Sequence, residues 1–187
     1  MNLWLRLLRV FIASLFRPRL GLTDESLLHF RVMPHDLDIN IHMNNARYFA
    51  LMDLGRFDLI VRGGLWRPVL RNRWQPVIAA ALVRFRRPLK PFEPLTLSSR
   101  LIAWDEKWLY MEHRIESKGN LACHTIVRGA FVGATGVVPP AAIADAVGFT
   151  GPSPSLPDWI VPWRDLDGAI EACPSLNPAL EASPCVL

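Results

Sequence analysis

The sequence predicts an α+β domain in which a curved antiparallel sheet wraps one long central helix. Three observations predict it. Tyr48, Leu51, Met52, Gly55 and Leu59 recur at helical spacings of three and four, and they lie between an asparagine pair that can cap a helix and the stop Gly63-Gly64. Four segments of strand length follow between residues 77 and 138, separated by Pro, Gly, Asp and Asn. A chain of 187 residues with 51% apolar content has enough apolar surface for one sizeable core with appended ends.

Taken in order, Met1 to Phe16 is apolar but broken by Arg6 and Arg9, too short and too charged to span a bilayer, which takes ~20 mostly apolar residues. A secretory leader carries its charges before the apolar run, whereas here Arg17-Pro18-Arg19 follows it, so the segment is expected to be retained. Drawn as a helix, it has a narrow strip of Asn2, Arg6, Arg9, Ala13 and Arg17 with apolar residues over the remainder. Two roles suit it: lying in a membrane interface with the arginines at the headgroups, or packing on its own domain or a second subunit. Three regions result: residues 1–22 as an amphipathic N-terminal helix, 23–147 as the folded domain, and 148–187 as a Pro-rich extension.

Leu27 to Met33 reads as a short strand, ended by Pro34. The helix from Asn44 or Asn45 carries Phe49, Leu54, Phe57, Ile60 and Val61 on its other sides, which predicts enclosure round most of its circumference. Leu65 to Pro76 is expected to be a loop. The four later strands are Val77 to Arg87, Leu95 to Trp104, Trp108 to Glu116 and Leu121 to Val138. Asp105-Glu106-Lys107 turns the second into the third, and Gly129, Gly133 and Gly136 predict bulges or close backbone approach in the fourth. A short helix is expected from Ala141 to Val147, and Gly148 to Leu187 is expected to wrap the surface.

The net charge of +4 suits an anionic partner, whether nucleic acid, an acidic membrane surface or a phosphorylated cofactor, and charge alone does not choose among them. Three cysteines, Cys123, Cys173 and Cys185, have neither disulfide-framework nor metal spacing, so no metal site is indicated and a cytoplasmic location fits best, with peripheral contact on the inner membrane face as the alternative. Cys123 reads as core.

Chemistry concentrates from His35 to Asp58. Asp38, Asn40 and His42 alternate with Ile39, Ile41 and Met43, so an extended conformation sets three polar groups against three apolar ones. The order of strand, buried helix and antiparallel meander is that of the hotdog fold. The run Asp36-Leu37-Asp38-Ile39-Asn40-Ile41-His42-Met43-Asn44-Asn45-Ala46-Arg47-Tyr48 resembles the signature of the hotdog thioesterases, both the 4-hydroxybenzoyl-CoA thioesterase-like group and the acyl-carrier-protein thioesterases. Glu93-Pro94, Trp104-Asp105 and Leu109-Tyr110-Met111-Glu112 are similar to the thioesterase superfamily member 6 branch. Two positions depart from the pattern: Ile41 stands where many CoA-type members have glycine, and no glutamate lies near Arg86 to Leu89.

The resemblance implies hydrolysis of an acyl-CoA or acyl-carrier-protein thioester by a homodimer or dimer of dimers, with Asp38 as catalytic carboxylate and Asn40 and His42 in its network. It implies no cofactor beyond the CoA of the substrate, and no nucleic acid. A carboxylate beside a helix N-terminus supplies what the reaction needs: a base or nucleophile, and free N–H groups for the oxyanion, expected among Met43 to Ala46 and centred on Asn44 and Asn45. Tyr48 and the basic run Arg84, Arg86, Arg87 and Lys90 are expected to contact substrate, the arginines meeting its phosphates. Asp53 is the rival carboxylate, with an Arg56 ion pair as its plainer role. The alternative function is a non-catalytic acyl-thioester binder or a membrane-associated partner protein.

Overall fold

The computed structural model describes residues 3–171. They divide into two compact units, one ending at Ser155 and one beginning at Leu156. In the first unit, helix α1 (Leu3–Phe16) precedes strand β1 (Ser26–Arg31), a 3-10 turn (Pro34–Asp36) and the central helix α2 (Asn45–Arg62). A short helix α3 (Trp66–Arg71) leads to β2 (Gln75–Phe85), β3 (Pro94–Trp104), β4 (Leu109–Ser117), β5 (Asn120–Gly133), β6 (Gly136–Val138) and α4 (Pro140–Ala146). The second unit contributes α5 (Val161–Glu171). The region from Leu65 to Pro76 is therefore not all loop. The last expected strand is two, broken by a turn in which Gly136 takes φ +107, a left-handed value that suits glycine. The expectation of a surface wrap over Gly148 to Leu187 meets a helix at Val161–Glu171, and its remainder lies outside the described residues.

The strands form an antiparallel sheet in the order β1-β3-β4-β5-β2, with β6 added on β5. Asp105 shapes the β3–β4 hairpin, its Oδ1 accepting from the N–H of Lys107 at 2.9 Å and of Trp108 at 2.7 Å. Opposite a register shift in β2 between Ile78 and Ala80, Gly129 lies so near that strand that a Cβ would fall 2.8 Å from the Val77 carbonyl.

Helix α2 presses against this sheet through Leu51, Met52 and Gly55, and a Cβ on Gly55 would collide with the Ser99 hydroxyl of β3. Its enclosure is less complete than expected, because Phe49 and Asp53 stay exposed. Helix α1 covers another side of α2. Two buried carboxylates hold it there. Asp58 accepts from Ser14 Oγ and Ser26 Oγ, each at 2.6 Å, and from Arg62 at 3.1 Å, while Arg17 stands 3.7 Å away. Asp36 takes both Nη atoms of Arg6 at 2.6 and 3.0 Å and the Met33 N–H at 2.9 Å. Two arginines of the basic strip, Arg6 and Arg17, thus turn inwards, because buried carboxylates without cationic partners are far costlier than exposed leucines.

Strand β2 is the contrast. Among the described residues it ends the sheet, pairs only with β5, and shows solvent on both faces along Val77, Ile78 and Leu82.

Candidate active site

The stretch from Asp38 to His42 is not extended. Leu37 and Met43 form a bridge, and between them the chain makes a tight turn closed by the Asp38 N–H on the His42 carbonyl at 2.8 Å. Oδ1 of Asp38 accepts from the N–H of Asn40 at 2.8 Å and of His42 at 3.3 Å, an Asx-type closure that short acidic side chains perform well. The expected division into a polar and an apolar face therefore fails: Met43 is buried, but Ile39 is 97% exposed and Ile41, at φ +60, is 64% exposed. Among the described residues no hydrogen bond joins the side chains of Asp38, Asn40 and His42.

The turn delivers the chain to the head of α2. Asn44 has φ −59 and ψ 138, and its Oδ1 caps the helix by accepting the Ala46 N–H at 2.9 Å. The four expected oxyanion donors now separate. Met43 N–H bonds Leu89 O at 2.9 Å, Asn44 N–H bonds Asp36 O at 2.8 Å, and Ala46 N–H is the capped one. Only the Asn45 N–H is left without a partner among the described residues, at the positive end of an 18-residue helix.

Tyr48 is placed differently from the expectation of a substrate contact. It is 2% exposed, stands edge-on to Phe85 at 5.2 Å between centroids, and burial pushes its phenol up to about 12. In the basic run, Arg84, Arg86 and Lys90 are exposed, but Arg87 bonds Glu93 at 2.8 Å and the Ser117 carbonyl at 3.0 Å. Glu93 also accepts from the Lys90 N–H and Ser117 Oγ. Burial alone would raise its carboxyl, and these bonds outweigh it and hold it down to about 2. Cys123 is fully buried, as expected of a core residue.

An apolar cavity of about 300 Å³ lies between the C-terminal half of α2 and the sheet, walled by Phe57, Ile60, Leu101, Met111, Phe131 and Ile143. Asp53 and Arg56, an ion pair, supply its charged lining; Asp38 does not border it. Behind them Arg56 Nη1 stands 3.2 Å from His113 Nε2, whose Nδ1 lies 2.8 Å from Ser99 Oγ. Burial, then the Arg56 charge, lowers His113 to about 3, so the ring is neutral and its Nε2 can accept a hydrogen bond from the Arg56 guanidinium N–H. Sequence reasoning missed this chain, as well as Asp36, Asp58 and Glu93 as buried anchors. The one available signal was the spacing of Arg6 and Arg17 on α1, which places cations where an inward-facing carboxylate could meet them. Among the described residues no group of His, Cys, Asp and Glu is arranged to hold a metal ion.

A family model described as the thioesterase-like superfamily matches residues 32–163. Protein THEM6 of Danio rerio is 36% identical over 113 residues, covering 57% of this chain and 56% of that protein. The chain spans about half the length of the curated relatives it matches. Among solved structures, the YbaW probable thioesterase from Escherichia coli superposes with TM-score 0.60 at 17% identity, covering 65% of this chain and 95% of that one. A thioesterase from Thermus thermophilus, complexed with coenzyme A and Zn, gives TM-score 0.57 at 23% identity, covering 65% and 96%. These likenesses establish the hotdog fold that the order of elements predicts.

Proposed function

Because the chain belongs to the thioesterase-like superfamily, we propose that it hydrolyses acyl-CoA thioesters with Asp38 as the catalytic carboxylate and the Asn45 N–H as oxyanion donor. What supports this reading is that Asp38 closes the turn that leads directly into the N-terminus of α2. Asp38 is fixed through Oδ1 by two backbone amides, which leaves Oδ2 for chemistry, and of the four amides from Met43 to Ala46 the one without a partner among the described residues, Asn45, heads α2. Oδ2 takes a proton from water or attacks the thioester carbonyl itself, and the negative charge that develops on the carbonyl oxygen is met by Asn45 N–H and the helix dipole. The sulfur leaves as the CoA thiol. His42, half-buried and near the same turn, orients the thioester rather than relaying a proton from Asp38. Arg84, Arg86 and Lys90 remain open to the nucleotide phosphates. That the Thermus thermophilus thioesterase is complexed with coenzyme A supports CoA over a carrier protein.

The reading includes a homodimer. Strand β2 offers an unpaired apolar edge to a second β2, which would continue the sheet across two protomers and cover Val77, Ile78 and Leu82. Such a pairing would also let the turn of one protomer approach the cavity of the other.

The test is a panel of acyl-CoAs read by release of free thiol. Asp38→Asn keeps an oxygen to accept the two turn amides, so the fold should persist while turnover falls by at least ~100-fold, the lower range for removal of a principal catalytic group. Asn45→Pro removes the N–H together with an exposed side chain, whose loss Asn45→Ala measures separately, at a helix position that favours proline and after a residue whose dihedrals already suit it. It should cost ~100-fold in kcat with melting temperature kept. Activity within a few fold of the parent in either variant would refute the corresponding role. A second reading has its own observation: Asp53 borders the apolar cavity and Asp38 does not. If Asp53→Asn is inactive and Asp38→Asn active, Asp53 is the carboxylate; binding without turnover in the parent selects the non-catalytic acyl-thioester binder.

A further inference from the structure

Helix α1 is built inside out. A helix on a protein surface ordinarily shows charge to solvent and apolar side chains to the core. Here Arg6 and Arg17 are drawn onto Asp36 and Asp58, and Val10 and Ser14 are buried. Trp4, Leu5, Leu8, Ile12, Leu15 and Phe16 are left between 48% and 85% exposed. Phe11, tilted against Phe57 with centroids 6.1 Å apart, borders the same side. So many large apolar side chains on one outward face exceed what a soluble surface normally leaves bare.

We infer that this face is seated on an anionic phospholipid bilayer, with α1 lying in the plane of the interface. Charge points to that occupant. From Leu3 to Leu22 the chain has four arginines and no acidic residue; with Arg6 and Arg17 engaged inwards, Arg9 and Arg19 remain exposed beside the apolar face. Apolar residues with tryptophan at one end and arginines at the flank are the composition that binds at headgroup depth. A second copy is disfavoured because a two-fold pairing of α1 about its midpoint would bring Arg9 against its own counterpart. At ~1.5 Å per residue the 14 residues reach ~21 Å, enough to lie flat, and no helix among the described residues is long and apolar enough to cross a membrane. The inference stands whether or not the chain is a thioesterase.

Sedimentation of the full chain with vesicles tests it. The protein should pellet with vesicles containing phosphatidylglycerol, less with phosphatidylcholine alone. Raising salt to about 0.5 M should weaken but not abolish binding, since screening acts on Arg9 and Arg19 and not on the apolar contact. Leu8→Glu with Ile12→Glu should reduce binding at least ~10-fold at unchanged melting temperature, because both side chains point away from the body. Arg9→Glu, which removes no apolar contact, should lose the preference for phosphatidylglycerol. An intact chain that stays in the supernatant overturns the inference. So does a doubly substituted chain that binds as well as the parent, or one whose only change is a smaller mass in sedimentation equilibrium, which would assign the face to a second copy.

Discussion

The side of the molecule where α1, β1 and α2 meet and the edge formed by β2 obey opposite rules. The first buries charge: Asp58 is fully enclosed and surrounded by two hydroxyls and two arginines, and Asp36 is gripped by Arg6. The second exposes hydrophobes, with valine, isoleucine and leucine open on the edge strand. Buried ion pairs contribute little net stability against an apolar replacement, but they penalise any arrangement that separates the partners. They therefore fix how the chain contacts itself. An exposed apolar edge has no such internal partner, so what it stabilises is contact with other molecules.

Breaking the first region should have the largest effect. Asp58→Ala leaves Arg62 buried without its carboxylate and removes the acceptor of Ser14 and Ser26, so unfolding free energy should fall by about 3 to 5 kcal/mol, read from the midpoint of denaturant unfolding. A loss under about 1 kcal/mol would show that Asp58 does not hold α1.

Acid should act on buried charge next. Glu93, lowered to about 2, is ionised in the folded state at pH values where the unfolded chain protonates it. Its contribution is complete above about pH 4.5 and is lost as pH falls towards about 2. His113 is lowered to about 3, so the unfolded chain binds its proton first and stability begins to fall below about pH 6.5. Melting temperature should thus decline in two stages. Glu93→Gln should reduce the lower one, on the order of 2 kcal/mol, without abolishing it, because Glu112, held down to about 2 chiefly by its bond with His124, is lost over the same range; the upper one should be unchanged. A single decline unaltered by the substitution would contradict this.

The smallest effect on folding is expected at the edge. Leu82→Lys places a charge on an exposed strand position and should change monomer stability by no more than ~0.5 kcal/mol, while halving the mass seen in sedimentation equilibrium if β2 is the dimer seam. A large loss of stability with the mass unchanged would erase the distinction between the two regions.

What could be read from sequence follows the same division. Helix α2 was legible from its periodicity, its Asn44 cap and Gly63-Gly64, and the strands from alternation and turn residues, because these are local properties of the chain. Catalytic candidates were legible as a motif, but their geometry was not. The Asx closure by Asp38 replaces the extended alternation, since an aspartate bonding backbone amides competes with strand formation, and no pattern of apolar and polar residues records that competition. The buried carboxylates were missed because Asp36, Asp53 and Asp58 look alike in sequence. Only long-range contacts with Arg6 and Ser14 separate the first and last from the second, which stays at the surface.

Ile41 carries a consequence of its own. A β-branched residue at φ +60 is held against its preferred backbone region, at ~1 to 3 kcal/mol, and the position before the histidine is where glycine would sit without strain. Burial of its side chain does not offset that strain, since it is 64% exposed. The turn is therefore a place where the isolated protomer is less settled than its sequence could have made it. A glycine at this position would relieve the strain at little loss of packing, since so little of the Ile41 side chain is buried.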